Sequence, residues 1–373
     1  LIGRIVGSIG SSMLQAVTMA IVLAVFPSNE KGRGLGMITF AVGIGGIAGP
    51  LLGSQITEFF GWKYIFLVMF FPTIIGFIMA IYILKDELIG SSRDIKVKYD
   101  FKGAIYSALF IILIILSISN PFNFSYFSAI YWIIWIISIS LIYLFIKSQI
   151  KNKNPMFNLR LFLNWRFSFA ISARLFGFTS NGPFWFIIPF YATIVLKYSV
   201  GMTGILIFLN ALGMSIAGSI AGRLSDKFGT IKFIITGLTI LSITWLLFII
   251  AGNDSPKEYI LLLSLFNGIS NGLWMAPNTS ETLEKISTEY QGLISAFNAL
   301  IRNIGSVMGI SVSTILITSV LISNGLNVQI GDLINGSKSE IKILTDAMNY
   351  SFIVSAGFGI LAIILSLVGK IRN

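Results

Sequence analysis

Eleven stretches of this chain are long and apolar enough to cross a bilayer as a helix, and that limits its fold more than any other feature. They cover roughly 3–25, 35–59, 62–84, 102–119, 126–146, 166–196, 202–222, 231–252, 258–277, 292–320 and 349–369, with short polar connections between most of them. Hydrocarbon offers no partner to a backbone amide, so each stretch is expected to bond within itself as a helix. Only 11% of the residues are charged, where a soluble domain carries about a quarter. The expected fold class is an all-α polytopic membrane protein.

What is missing narrows the chemistry. The chain has no cysteine and no histidine, which removes disulfides, thiolate metal sites and the commonest near-neutral proton carrier. There is no glycine-rich phosphate loop, so ATP hydrolysis is not expected, and no cofactor is implied. A net charge of +11 would suggest nucleic acid in a soluble protein, but here it follows the connections. Alternate loops carry 18 Lys and Arg on one side and 5 on the other, namely Lys63, Lys197, Lys257, Lys338 and Lys342. That asymmetry places the richer side, and the C-terminus, in the cytoplasm, with the lipid bilayer and not nucleic acid as the partner.

One stretch is unusual within its helix. Gly43-Ile44-Gly45-Gly46-Ile47-Ala48-Gly49-Pro50-Leu51-Leu52-Gly53-Ser54 sets Gly45, Gly49 and Gly53 four apart, a bare stripe that lets a neighbour approach backbone to backbone. Pro50 removes a donor and bends the helix. Without any further role, this is a tightly packed, kinked transmembrane helix.

Three basic residues, Arg4, Arg174 and Arg302, fall inside apolar segments, where a charge costs at least a few kcal/mol. Each either snorkels to an interface or faces a pathway, where it can hold an anion or perturb a carboxylate. Asn181-Gly182-Pro183 continues the Arg174 helix as an expected kink, with Asn181 and Trp185 expected on a cavity wall. No acid falls at the centre of a segment, so a proton-coupling carboxylate is not visible. Gly222-Arg223-Leu224-Ser225-Asp226-Lys227-Phe228-Gly229-Thr230-Ile231-Lys232 joins two helices on the cytoplasmic side. Gly222 and Gly229 are expected to allow a tight turn and Asp226 to cap or pair, beyond a plain positive loop. The pair 102–146 reads as a peripheral insert, and the polar loop 322–348 as mobile.

Together these stretches resemble the major facilitator superfamily, in particular its fourteen-span drug:proton antiporters. Gly45, Gly46, Gly49, Pro50 and Gly53 resemble the family's antiporter signature on its fifth helix. Arg4-x-x-Gly7 is similar to the Arg-centred signature of the fourth, with Val6 where the family usually has Gln. Gly222, Arg223, Asp226, Gly229 and Lys232 resemble the second copy of the cytoplasmic loop signature. Phe26–Gly34 and Glu289–Gly292 occupy the places of post-helix turns, the second lacking its Arg.

The resemblance implies a two-bundle transporter with 11 helices present of 14, the chain being entered near the fourth helix, in keeping with its start at Leu1 without Met. Residues 1–101 would complete an N-terminal bundle, 102–165 would hold a two-helix insert and linker, and 166–373 would form a C-terminal six-helix bundle. The implied function is proton-coupled export of small amphipathic or drug-like compounds by alternating access, from a monomer in the plasma membrane. Substrate and protons would meet Arg4, Gln15, Arg174, Asn181, Trp185, Asn210, Asn267, Asn271, Trp274, Asn298 and Arg302 between the bundles, with Trp and Phe suited to aromatic or cationic amphiphiles. A metabolite exporter of the same fold and a non-transporting remnant are the alternatives. A membrane enzyme or scaffold is less favoured, since no acids, His or Cys cluster at an interface.

Overall fold

The computed structural model describes residues 2–25, 31–83, 100–119, 128–152, 155, 159–251, 255–283 and 288–371. Eleven long helices lie within them: α1 (Ile2–Val25), α2 (Lys31–Phe60), α3 (Lys63–Ile83), α4 (Phe101–Ser119), α5 (Ala129–Lys151), α6 (Trp165–Phe190), α7 (Val200–Phe228), α8 (Thr230–Ile250), α9 (Lys257–Leu283), α10 (Thr288–Ser323) and α11 (Lys338–Ile371). Among the described residues, 8 helices pass the length and hydropathy needed to span a membrane. The multi-pass, all-helical class expected from the apolar stretches is therefore present.

Polar side chains set several helix starts. Ser128, Asn164 and Ser199 accept from the first-turn amides of Tyr131, Arg166 and Met202, at 3.3, 3.0 and 3.2 Å. Prolines lie inside helices at Pro50, Pro72, Pro183, Pro189 and Pro277. After Pro189 the ladder loosens into one π turn, Tyr191–Val195, in which Tyr191 is buried and donates to Ala251 O at 2.6 Å.

Helices α6 to α11 pack closely on one another. Their core is an aromatic knot of Tyr191, Trp245, Phe248 and Phe352, with Trp245 and Phe352 stacked at 5.3 Å. Glycine sets the helix spacing around it. A Cβ on Gly272 would meet Met214 O and Gly218 N at 2.5 Å, and one on Gly213 would meet Leu265 O at 2.6 Å, so α7 and α9 touch backbone to backbone. Gly305, whose Cβ would meet Leu175 O at 2.6 Å, does the same between α10 and α6.

By contrast, α3 has no buried residue, and α4 and α5 pack mainly on each other, with α4 also touching α10. Helix α2 lies chiefly against α7.

Two expectations change here. The polar loop 322–348 is shorter than its composition suggests. A 3₁₀ turn (Ile330–Asn335) leads into α11, which starts at Lys338 and buries Ile341, Leu344, Ala347 and Met348 along one face. Ser337 and Glu340 cap it reciprocally, Ser337 N donating to Glu340 Oε2 at 2.7 Å and Glu340 N donating to Ser337 Oγ at 3.3 Å. Helix α9, expected to end near 277, runs to Leu283 and carries Glu281 into the protein.

Candidate functional site

Site residues on α6, α9 and α10 come together in a chain of neutral contacts. Along α6, Arg174, Phe178, Asn181 and Trp185 recur at helical spacing on one stripe. Arg174 is buried, 6% exposed. It donates from Nε to Asn298 O at 3.2 Å and from Nη1 to Asn278 Oδ1 and Thr279 Oγ1 at 3.2 and 3.0 Å. Its guanidinium also lies 5.2 Å from the Phe178 ring, which meets Trp274 edge-on at 4.9 Å.

One turn further on, Asn271 Nδ2 donates to Asn181 Oδ1 at 2.9 Å, and Trp274 Nε1 donates to Asn271 Oδ1 at 3.2 Å. Asn210 Nδ2 donates to Asn267 Oδ1 at 2.9 Å and to Ser264 O at 3.3 Å. Asn210, Asn267, Asn271 and Trp274 are all at most 1% exposed. They form a polar seam between helices in which, of their buried side-chain atoms, Asn267 Nδ2 alone lacks a partner, where the sequence suggested a cavity lining. Asn298 is buried, and its Nδ2 donates to Thr282 Oγ1 at 2.7 Å. Trp185 is 46% exposed near the far end of the stripe. Arg302 is half-buried on α10, one turn from Asn298. Arg4 and Gln15 lie on α1, and their side chains fall outside the described residues, as does that of Asp226.

The glycine stripe of α2 stands clear of its neighbours among the described residues. A Cβ on Gly45, Gly46, Gly49 or Gly53 would meet no atom within 4 Å among the described residues. The wall of α2 that touches α7 holds Pro50, Ser54, Gln55 and Glu58, about 100° round the helix from the stripe. The glycines that admit it are on the partner helix. A Cβ on Gly204 would strike the Ser54 side chain and lie 3.1 Å from Pro50 O, and one on Gly201 would strike the Glu58 carboxylate and lie 3.1 Å from Gln55 Nε2. The small pair Gly201-Met202-Thr203-Gly204, just after the Ser199 cap, was the legible signal for this contact.

The cytoplasmic loop signature also resolves in part. Gly222 is helical, and the turn rests on Gly229 alone, at φ 88°, which ends α7 and starts α8. Arg223 and Lys232 are exposed. The turn 26–30 lies outside the described residues, as do the side chains around Glu289–Gly292.

Sequence reasoning missed Glu281. Its side chain is 2% exposed and accepts from Arg166 Nε at 2.6 Å and from the Thr230 hydroxyl, tying together the ends of α6, α8 and α9. Its helix outlasts its apolar run, and hydropathy alone hides such a residue. Beside the pair is a cavity of about 10 Å³, lined also by Ala170, Asn278 and Ser366, with room for one water and no substrate.

Helices long and apolar enough to cross a membrane, packed as a bundle with α2 seated on it through a glycine-lined contact, define a multi-pass membrane protein. The chain belongs to the Major Facilitator Superfamily, whose family model matches residues 1–310 and 170–371. It is 27% identical over 306 residues to the riboflavin transporter RibZ of Clostridioides difficile, covering 82% of this chain and 65% of that protein. It is 25% identical to the uncharacterized MFS-type transporter YhcA of Bacillus subtilis, covering 86% of this chain and 59% of YhcA. The multidrug transporter protein MdtP of Bacillus subtilis is 25% identical over 307 residues, 81% of this chain and 56% of MdtP. The chain thus spans rather under two thirds of these relatives. Among solved structures it is similar to a bacterial homolog of the human lysosomal transporter Spinster, inward-facing and unoccupied, with TM-score 0.54, 12% identity and coverage of 94% of this chain and 73% of the other. That likeness concerns the fold.

Proposed function

We propose that the full-length protein is a proton-coupled exporter of small amphipathic compounds, of the fourteen-span antiporter type, working by alternating access in the plasma membrane with its C-terminus cytoplasmic. Residues 1–101 belong to one bundle, 166–373 to the other, and 102–165 form an insert between them. The observation that carries this reading is the contact of Pro50, Ser54, Gln55 and Glu58 on α2 with Gly201 and Gly204 on α7, which supports two bundles meeting over one end of α2. In the proposed cycle that contact closes the outer end of the path and parts when the protein turns outward. The antiporter glycines Gly45, Gly46, Gly49 and Gly53 border it on the adjoining face, where they leave room for the walls to rock. The loop residues Arg223, Asp226 and Lys232 hold the cytoplasmic end between α7 and α8. Arg4, Gln15, Arg174, Asn181, Trp185, Asn298 and Arg302 line the path, while Asn210, Asn271 and Trp274 keep its α9 wall rigid. Partners are a small-molecule substrate and protons, for a monomer without nucleic acid.

Support comes from the family match and from relatives named for multidrug and for riboflavin transport. The second of these keeps a metabolite exporter as the alternative substrate reading. The test is full-length protein in proteoliposomes with an imposed proton gradient. Solute movement that collapses with an uncoupler is expected, and no movement of any solute under any gradient would overturn the proposal.

A further inference from the structure

Two arginines stand near each other in the α6–α10 seam, with no acid beside them among the described residues. Every acceptor of Arg174 is neutral: the Asn298 carbonyl, the Asn278 amide oxygen and the Thr279 hydroxyl. Arg302 lies close enough to repel its charge. Arg302 itself is half-buried and finds no acceptor among the described residues, where the one ion pair is Arg166 with Glu281. On the same face, Asn298 carries a buried Oδ1 that no donor reaches. Two like charges within a membrane helix pair are expensive when nothing balances them. A mobile anion would remove that cost, and a guanidinium is well suited to a carboxylate, sulfonate or phosphate. The orphaned Asn298 Oδ1 calls for a donor beside it.

We infer that Arg302, with Arg174 behind it, receives the anionic group of an organic oxyanion that carries a hydroxyl or amide donor next to that group. This deepens the transport reading and rests on it for the anion's role as substrate, although binding itself needs no proton gradient. It reverses the preference for cationic amphiphiles that the aromatic residues suggested. A cation entering beside Phe178 would gain a ring face already occupied by Arg174 and meet two positive charges.

The test is equilibrium binding to purified full-length protein in phosphatidylcholine nanodiscs, with three naphthalene probes of similar size. These are 4-hydroxy-2-naphthoate, whose hydroxyl is too far from its own carboxylate to bond to it, 2-naphthoate and 2-naphthyltrimethylammonium. Saturable binding is expected in that order of affinity. Arg302→Gln is expected to weaken hydroxynaphthoate about tenfold, the worth of one charge-assisted hydrogen bond, while Arg302→Lys weakens it less. Repeating the measurement with phosphatidylglycerol present separates the sources of the anion. Competition lost in Arg302→Gln identifies a lipid headgroup as occupant, and no competition identifies a soluble anion. Either outcome supports an oxyanion site. Tighter binding of the ammonium probe, binding of none of the three, or an unchanged hydroxynaphthoate affinity in a folded Arg302→Gln protein would overturn it. Failure of gradient-driven transport alone, with anion binding intact, would count against the coupling proposal and leave this site standing.

Discussion

Glycines in two regions of this molecule look alike in the sequence and act differently. In α9, Gly268 and Gly272 lie four apart and press against backbone atoms of α7. In α2, Gly45, Gly49 and Gly53 have the same spacing and press on nothing among the described residues. The first set fixes the distance between two helices of one bundle. The second lies beside a contact made by its neighbours Pro50, Ser54 and Glu58. Spacing creates a face that can be approached, and only the fold decides whether anything approaches it.

The largest expected effect tests the first set. Gly272→Leu forces a side chain into Met214 O and Gly218 N, and should cost about 3 kcal/mol or prevent folding. A melting curve or steady-state membrane level reads it. Glu281→Gln comes next. It leaves Arg166 without its carboxylate, and because Arg166 is 30% exposed at its side chain the loss should be about 2 kcal/mol, less than for a fully buried pair. Adding Arg166→Gln should restore part of it. Asn271→Leu takes partners from Asn181 and Trp274, and in a membrane bundle about 1 kcal/mol is expected. Gly49→Leu should change stability by less than about 0.5 kcal/mol. A loss as large as that of Gly272→Leu would break the comparison, because the stripe would then be packed in the full-length protein.

The smallest effect is local. The Ser337 amide and hydroxyl hold the Glu340 carboxyl below the usual range. Its cap on α11 is therefore fully present above the ordinary carboxylate pKa and lost as pH falls through the lower folded value. Hydrogen exchange in the first turn of α11 should loosen in acid, and Glu340→Gln should abolish that pH dependence.

Much of the helical framework was legible, because long apolar stretches leave the backbone no other way to satisfy its amides in lipid. Helix ends were less so. Hydropathy stops where charge begins, while α9 and α11 continue through Glu281 and Glu340 on the strength of Arg166, Thr230 and Ser337. The candidate polar residues were visible singly, but their pairing was not, since Asn181 and Asn271 are 90 positions apart in the chain. The sequence reading also looked at only one side of the α2 wall. It weighed the glycine-rich helix and passed over the pair Gly201 and Gly204, whose value depends on what lies opposite.

The contact between α2 and α7 as a moving seal is tested most directly by a distance. The chain has no cysteine, so Glu58→Cys and Val200→Cys can each carry a spin label in the full-length protein, and both positions are exposed. The separation should be short at rest, with a second, longer population that grows when a proton gradient or a transported solute is supplied. A single short distance under every condition, in protein that still transports, would contradict it.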